Sequence, residues 1–118
     1  MILRREHVKT EEDVIRFLSD RTQFERDVLL ATFRIPKGKV STYKRIAEKI
    51  GRPRAHRAAG NALHKNPLAP IVPCHRVVRS DGRFGGPREA AEARMKLLQE
   101  EGVRIEEGRV NLDEDILY

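Results

Sequence analysis

The chain has 118 residues, a formal net charge of +6, 36% charged and 39% apolar residues, and one cysteine. That length holds one core rather than two ordinary domains, and the periodic recurrence of apolar residues excludes a disordered chain. A single cysteine excludes an internal disulfide, no run nears the roughly 20 apolar residues that span a bilayer, and no Cys/His cluster has zinc-ligand spacing. The start, Met1-Ile2-Leu3-Arg4-Arg5-Glu6, is unlike a secretory signal. An intracellular, single-domain protein without metal or cofactor is therefore expected, monomeric by default and away from membranes.

Met1-Ile2-Leu3 reads as a short strand. Thr10 ahead of Glu11, Glu12 and Asp13 reads as a helix N-cap with acids in the first turn, and Val14, Phe17 and Leu18 form its apolar stripe. A second helix starts near Thr22, places Phe24, Val28, Ala31 and Ile35 on one face, and breaks at Pro36-Lys37-Gly38. Ser41 or Thr42 caps a third helix with Ile46, Ala47 and Ile50 inward; Gly51 stops it. Pro53 is expected to open a fourth helix running to about Lys65, ended by Asn66-Pro67. Two short helices joined by a tight turn make a helix-turn-helix.

The fourth helix carries Ala55, Ala58, Ala59, Gly60 and Ala62 among Arg54, His56, Arg57, His64 and Lys65. Small residues let a backbone approach another surface closely, either a neighbouring helix or the floor of a DNA groove. Charge favours a nucleic-acid reading: from Arg34 to Lys65 there are ten Lys/Arg against one acid, Glu48, so this segment carries +9 and the rest of the chain −3. Pro67, Pro70 and Pro73 then predict a rigid, extended connection. Asp81-Gly82 marks a tight turn, Gly85-Gly86 a flexible loop, and Pro87 to about Glu101 a last helix with Ala91, Met95 and Leu98 inward, stopped by Gly102. The tail alternates around Gly108, as in Val103, Ile105, Val110 and Leu112, and predicts a small hairpin.

The cysteine lies in Pro73-Cys74-His75-Arg76-Val77-Val78. A thiol attacks as thiolate, and His75 and Arg76 offer a base and a positive charge beside it. On its own this is weak, because a lone cysteine in an apolar run is more often a small buried hydrophobe.

Taken together, Gly38-Lys39-Val40-Ser41-Thr42-Tyr43, Arg54-Ala55-His56-Arg57-Ala58-Ala59-Gly60-Asn61-Ala62-Leu63, Asn66-Pro67, Ile71-Val72-Pro73-Cys74-His75-Arg76-Val77-Val78, Leu97-Leu98 and Glu101-Gly102 form an ordered series. On that series the stretch from about Thr22 to Gly102 resembles the DNA-binding and active-site domain of the O6-alkylguanine-DNA alkyltransferases, also called methylated-DNA–protein-cysteine methyltransferases. The resemblance implies a mostly helical, winged helix-turn-helix-like fold with small β elements, an extension over residues 1–20 and the domain over 21–118. It implies single-turnover DNA repair without a cofactor: a damaged guanine is flipped from duplex DNA, approached through the minor groove, and its O6-alkyl group passes irreversibly to Cys74. His75 would take the thiol proton through a water, Glu101 would orient the imidazole, and Tyr43 would protonate the departing guanine. Arg57 would fill the gap in the stack, with Arg54, Ala58, Gly60, Asn61, Thr42 and Tyr43 along the DNA. Asn66 would brace the turn between recognition helix and active-site strand.

Each residue has an ordinary counterpart: Tyr43 a core tyrosine, Arg57 one cation of ten, Asn66 a helix terminator, Glu101 a solvated acid. Only about twenty residues precede the matching region, where this family usually carries a further domain, and Arg83-Phe84-Gly85-Gly86 is shorter than the usual active-site loop. The size, that loop and Glu100-Glu101-Gly102-Val103 also resemble the alkyltransferase-like proteins, lesion sensors that bind O6-alkylguanine and recruit excision-repair proteins without reacting. Those proteins replace the reactive cysteine, and this chain keeps Cys74. A third reading is a helix-turn-helix regulator using Arg54 to Lys65 in the major groove. The expected location is the cytoplasm, with the nucleoid, or the nucleus.

Overall fold

The computed structural model describes residues 3–118. Five helices, α1 (Glu11–Phe17), α2 (Gln23–Phe33), α3 (Tyr43–Lys49), α4 (His56–His64) and α5 (Arg88–Glu100), carry the fold, with two-residue strands β1 (Ser41–Thr42), β2 (Val77–Val78), β3 (Ile105–Glu106) and β4 (Arg109–Val110). The caps explain the starts. Thr10 and Asp13 form a reciprocal capping box on α1, and the Thr22 and Thr42 hydroxyls accept from the backbone N–H of Glu25 and Arg45. Thr42, not Ser41, is the cap of α3. Met1 and Ile2 of the expected first strand lie outside the described residues; Leu3 belongs to no strand and packs against the core.

Two apolar clusters meet at one strand pair. Val8, Val14, Leu18, Val28, Leu29, Ile35, Ile46, Leu63, Leu68, Val72 and Val77 form the first, under α1 to α4. Val40, Val78, Phe84, Leu98, Val103 and Val110 form the second, under α5 and the tail. β1 pairs with β2 in parallel, Ser41 opposite Val77 and Thr42 opposite Val78. Successive strand side chains point to opposite faces, so Val77 enters one cluster and Val78 the other. The tail forms the expected hairpin, β3 antiparallel to β4. It docks through the Val110 N–H on the Gly82 carbonyl at 2.9 Å, and the chain end then pairs with Val40 through the Tyr118 N–H.

Two expectations are corrected. α4 begins at His56 rather than Pro53: the Ala55 N–H is taken by the Arg52 carbonyl at 2.9 Å, so residues 52–55 close a turn and Arg54 lies before the helix. The connection from Asn66 to Cys74 is a compact turn rather than an extended segment. Its prolines deny donors to a regular helix, but the free Val72 N–H reaches the Leu68 carbonyl at 2.9 Å while Leu68 and Val72 are buried. The Asp81-Gly82 turn and a last helix over 88–100 stand as expected, the turn closed by the Gly82 N–H on the Arg79 carbonyl at 2.8 Å.

Candidate active site and DNA interface

Cys74 opens a 3-10 turn, Cys74–Arg76, that delivers β2. It is half-buried at the edge of the first cluster, and its sulfur is a free thiol. Asn66 holds the approach to this turn from both sides, its side-chain amide donating to the Val72 carbonyl at 2.8 Å and its carbonyl accepting from the Leu68 N–H at 2.9 Å.

His75 is buried, and its Nε2 lies 3.0 Å from Glu101 Oε2, at the end of α5. Glu101 is clamped a second time: Arg76 donates Nε to Oε1 at 2.8 Å and Nη2 to Oε2 at 2.6 Å, while its Nη1 reaches the Ile35 carbonyl at 2.7 Å. The Arg76 fork, ahead of the His75 contact, pulls the Glu101 carboxyl down to about 2, so it is an anion at neutral pH. An ionised carboxylate only accepts, which puts the imidazole proton on Nε2 and leaves Nδ1 as the lone-pair nitrogen of the neutral ring. Nδ1 is buried and meets no hydrogen-bonding partner among the described residues. Arg76 therefore serves the carboxylate rather than supplying free positive charge to the thiol, as the sequence alone had suggested. Its partner lies 25 positions away, a pairing that no local pattern announces.

Tyr43, first residue of α3, follows β1 directly and packs, like Cys74, on the edge of the first cluster. Burial raises its phenol above the usual value, with Cys74 adding and Arg94 and Arg79 opposing, so the hydroxyl keeps its proton at neutral pH. The ring rests on Gly60 of α4, where an added Cβ would meet it at 3.6 Å, and stands edge-on to His64 at 6.3 Å. A cleft of about 320 Å³ opens beside it, lined by Tyr43, Lys44, His56, Arg79, Ser80 and Asp81.

On α4, Ala59, Ala62 and Leu63 are buried, whereas Arg57, Ala58 and Asn61 are exposed. The small residues thus divide between two faces, Ala59 and Ala62 packed inside and Ala58 open to solvent. The basic segment also divides. Arg34 pairs with Glu11, Lys39 and Arg45 donate to the carbonyls of Asp115 and Tyr118, and Lys49 covers the Tyr118 ring at 3.7 Å. Lys37, Lys44, Arg52, Arg54, Arg57 and Lys65 stay exposed. The structure thus gathers Cys74, His75, Glu101, Tyr43 and Asn66 around one turn and leaves Arg54, Arg57, Ala58 and Asn61 exposed, whereas Thr42, expected along the DNA, is buried with its hydroxyl on the Arg45 N–H, and Gly60 is half-buried against the Tyr43 ring.

The family model of the 6-O-methylguanine DNA methyltransferase DNA-binding domain matches residues 23–103. The chain belongs to this family. A methylated-DNA–protein-cysteine methyltransferase of Methanosarcina barkeri is 42% identical over 91 residues, 77% of this chain and 58% of that protein. One from Saccharolobus islandicus is 45% identical over 84 residues, 71% of this chain and 54% of that protein. The chain spans about half the length of these relatives. Among solved structures, Mycobacterium tuberculosis OGT in complex with DNA is 41% identical at a TM-score of 0.65, covering 68% of this chain and 50% of that one. Atl1 of S. pombe, in complex with damaged DNA containing O6-carboxymethylguanine, is 32% identical at a TM-score of 0.73, covering 81% of this chain and 94% of that one. The fold is that of the family's alkyltransferase domain, as the ordered motifs implied.

Proposed function

We propose that this chain, as a monomer acting where DNA is kept inside the cell, repairs O6-alkylguanine in duplex DNA by one irreversible transfer of the alkyl group to Cys74. The observation that carries the reading is the Glu101–His75 pair, joined at 3.0 Å, with the buried His75 following the only thiol in one 3-10 turn. His75 Nδ1, with Glu101 holding the other nitrogen, takes the thiol proton through a water. The Cys74 sulfur then bonds to the alkyl carbon as the carbon–O6 bond breaks, and the Tyr43 hydroxyl gives a proton to the departing guanine. The products are a thioether and an unmodified guanine. Arg57, with Arg54, Ala58, Gly60 and Asn61, lies along the minor groove, and Arg57 fills the stack vacated by the flipped base, offsetting part of its few-kcal/mol cost.

Incubation with a duplex carrying one O6-methylguanine, followed by intact mass and peptide mapping, should add one methyl to the Cys74 peptide. Cys74→Ala should keep preference for the damaged duplex and gain nothing. Unchanged repair in that variant would end the proposal. A second reading is favoured by the match to 94% of the length of Atl1: a lesion sensor that recruits excision-repair proteins. It requires tight binding of damaged duplex with Cys74 unmodified.

A further inference from the structure

We propose that Tyr118 is a positioning residue for Tyr43: it docks the tail beside Val40 and so fixes the junction of β1 and α3 at which the Tyr43 phenol stands. The proposal rests on the site described above, in which Tyr43 serves the damaged base. The Val40 N–H donates to the Ile116 carbonyl at 2.9 Å, the Val40 carbonyl accepts from the Tyr118 N–H at 2.8 Å, and Val40 bridges Leu117 in parallel. The strand that leads into Tyr43 is thus flanked by β2 and by the tail.

From Val40 the contacts close a ring around Tyr43. Arg45 Nε donates to the Tyr118 carbonyl at 3.0 Å, and the Arg45 N–H donates to the Thr42 hydroxyl at 3.1 Å. Residue 118 therefore holds both ends of the stretch from Val40 to Arg45, with Tyr43 between them. Its own side chain keeps it in place: the half-buried ring packs on the first cluster and lies under Lys49 Nζ at 3.7 Å. Arg45 and Lys49 stand four positions apart on one face of α3, so Tyr118 grips that face along the helix. α3 has only seven residues, and a helix so short owes its placement to what it packs against rather than to its own stability. Losing the grip lets α3 turn about its buried Ile46 and Ala47 and carries the Tyr43 ring, at its first residue, off Gly60.

The chain has two tyrosines and no tryptophan, so a variant at residue 118 leaves Tyr43 as the one phenol. Burial raises that phenol, and the groups whose charge acts on it, Cys74, Arg94 and Arg79, lie outside the tail. A change in its titration therefore reports movement of the ring rather than loss of a charge. Ultraviolet titration should find Tyr43 above the ordinary phenol value in Tyr118→Phe, which keeps the ring, and back near that value in Tyr118→Ala. On a duplex carrying one O6-methylguanine, single-turnover transfer at saturation should fall about tenfold in Tyr118→Ala with affinity unchanged, the split expected when a reacting group is misplaced and the DNA surface is not. Tyr118→Phe should match wild type. Should the alanine variant fail to fold, Tyr118→Leu, which keeps bulk without an aromatic face, decides by the same two readings. Equal titrations in the alanine and phenylalanine variants, a transfer rate that stays at the wild-type value, or equal losses of rate and affinity overturn the proposal. If wild type transfers nothing, the repair reading fails, and the Tyr43 titration alone decides whether Tyr118 positions it.

Discussion

Arg76 has all three of its guanidinium nitrogens engaged, two on Glu101 and one on the Ile35 carbonyl just past α2. Its removal should leave Glu101 held by His75 alone and the Ile35 carbonyl without its partner. Arg76→Ala is expected to cost about 2–3 kcal/mol at neutral pH, the scale of hydrogen bonds to a charged group. The pH dependence follows from the depressed carboxyl. Glu101 falls from 4.5 to about 2 in the fold, so its contribution is complete above about pH 4.5 and is lost as pH falls toward 2. Thermal midpoints of wild type and Arg76→Ala should therefore differ most at pH 7 and converge between pH 4.5 and pH 2. A gap that stays constant over that range would mean that Arg76 stabilises through packing rather than through the carboxylate. Had only the sequence been at hand, Arg76 would have been assigned to the thiol; its role follows from a contact across 25 positions.

At the scale of elements, the β3–β4 hairpin is fastened to the turn before it at one glycine. Gly82 has a φ of +83°, and a Cβ there would lie 2.1 Å from the Val110 carbonyl oxygen, part of backbone that cannot swing aside. Gly38 has a φ of +89° and open space around its missing Cβ. Gly38→Ala should thus cost about 1–2 kcal/mol, the left-handed penalty alone. Gly82→Ala should cost clearly more and release the hairpin, read as faster amide exchange at Val110. Equal losses in chemical denaturation would show that the hairpin does not depend on this close approach. The turn at Asp81-Gly82 was legible from its residue types. That the turn seats the tail was not, because the Val110 N–H donating to Gly82 comes from 28 residues downstream.

For the whole molecule, the +9 segment is not one surface. Arg34, Lys39, Arg45 and Lys49 are committed to Glu11 and to the chain end, while Arg52, Arg54, Arg57 and Lys65 around α4 stay exposed, the cations that the proposed function sets against phosphates. Each phosphate contact releases counterions, so Arg54→Ala should lower the slope of log affinity against log salt by about 1. Lys39→Ala should leave the slope unchanged and lower the thermal midpoint instead. Equal slope changes in both variants would show that the basic segment acts as a diffuse field.

The sequence by itself determined that five helices form and where most of them are capped, because those depend on neighbours within a turn or two. Thr10 caps where local pattern placed it, Thr22 caps the helix expected to start near it, and of Ser41 and Thr42, between which the pattern did not choose, Thr42 is the cap, while the ordered motifs fall within the stretch that the family model matches. The start of α4 at His56 and the compact turn over 67–73 escaped, since proline restricts backbone choices without saying which remaining one burial will select. Only the tertiary structure decided which nitrogen of His75 faces the Glu101 carboxylate, which cations are paired within the fold, and what leans on the Gly85-Gly86 loop. Each of these is set by groups far apart in the chain that meet when two apolar clusters close on either face of the β1–β2 pair.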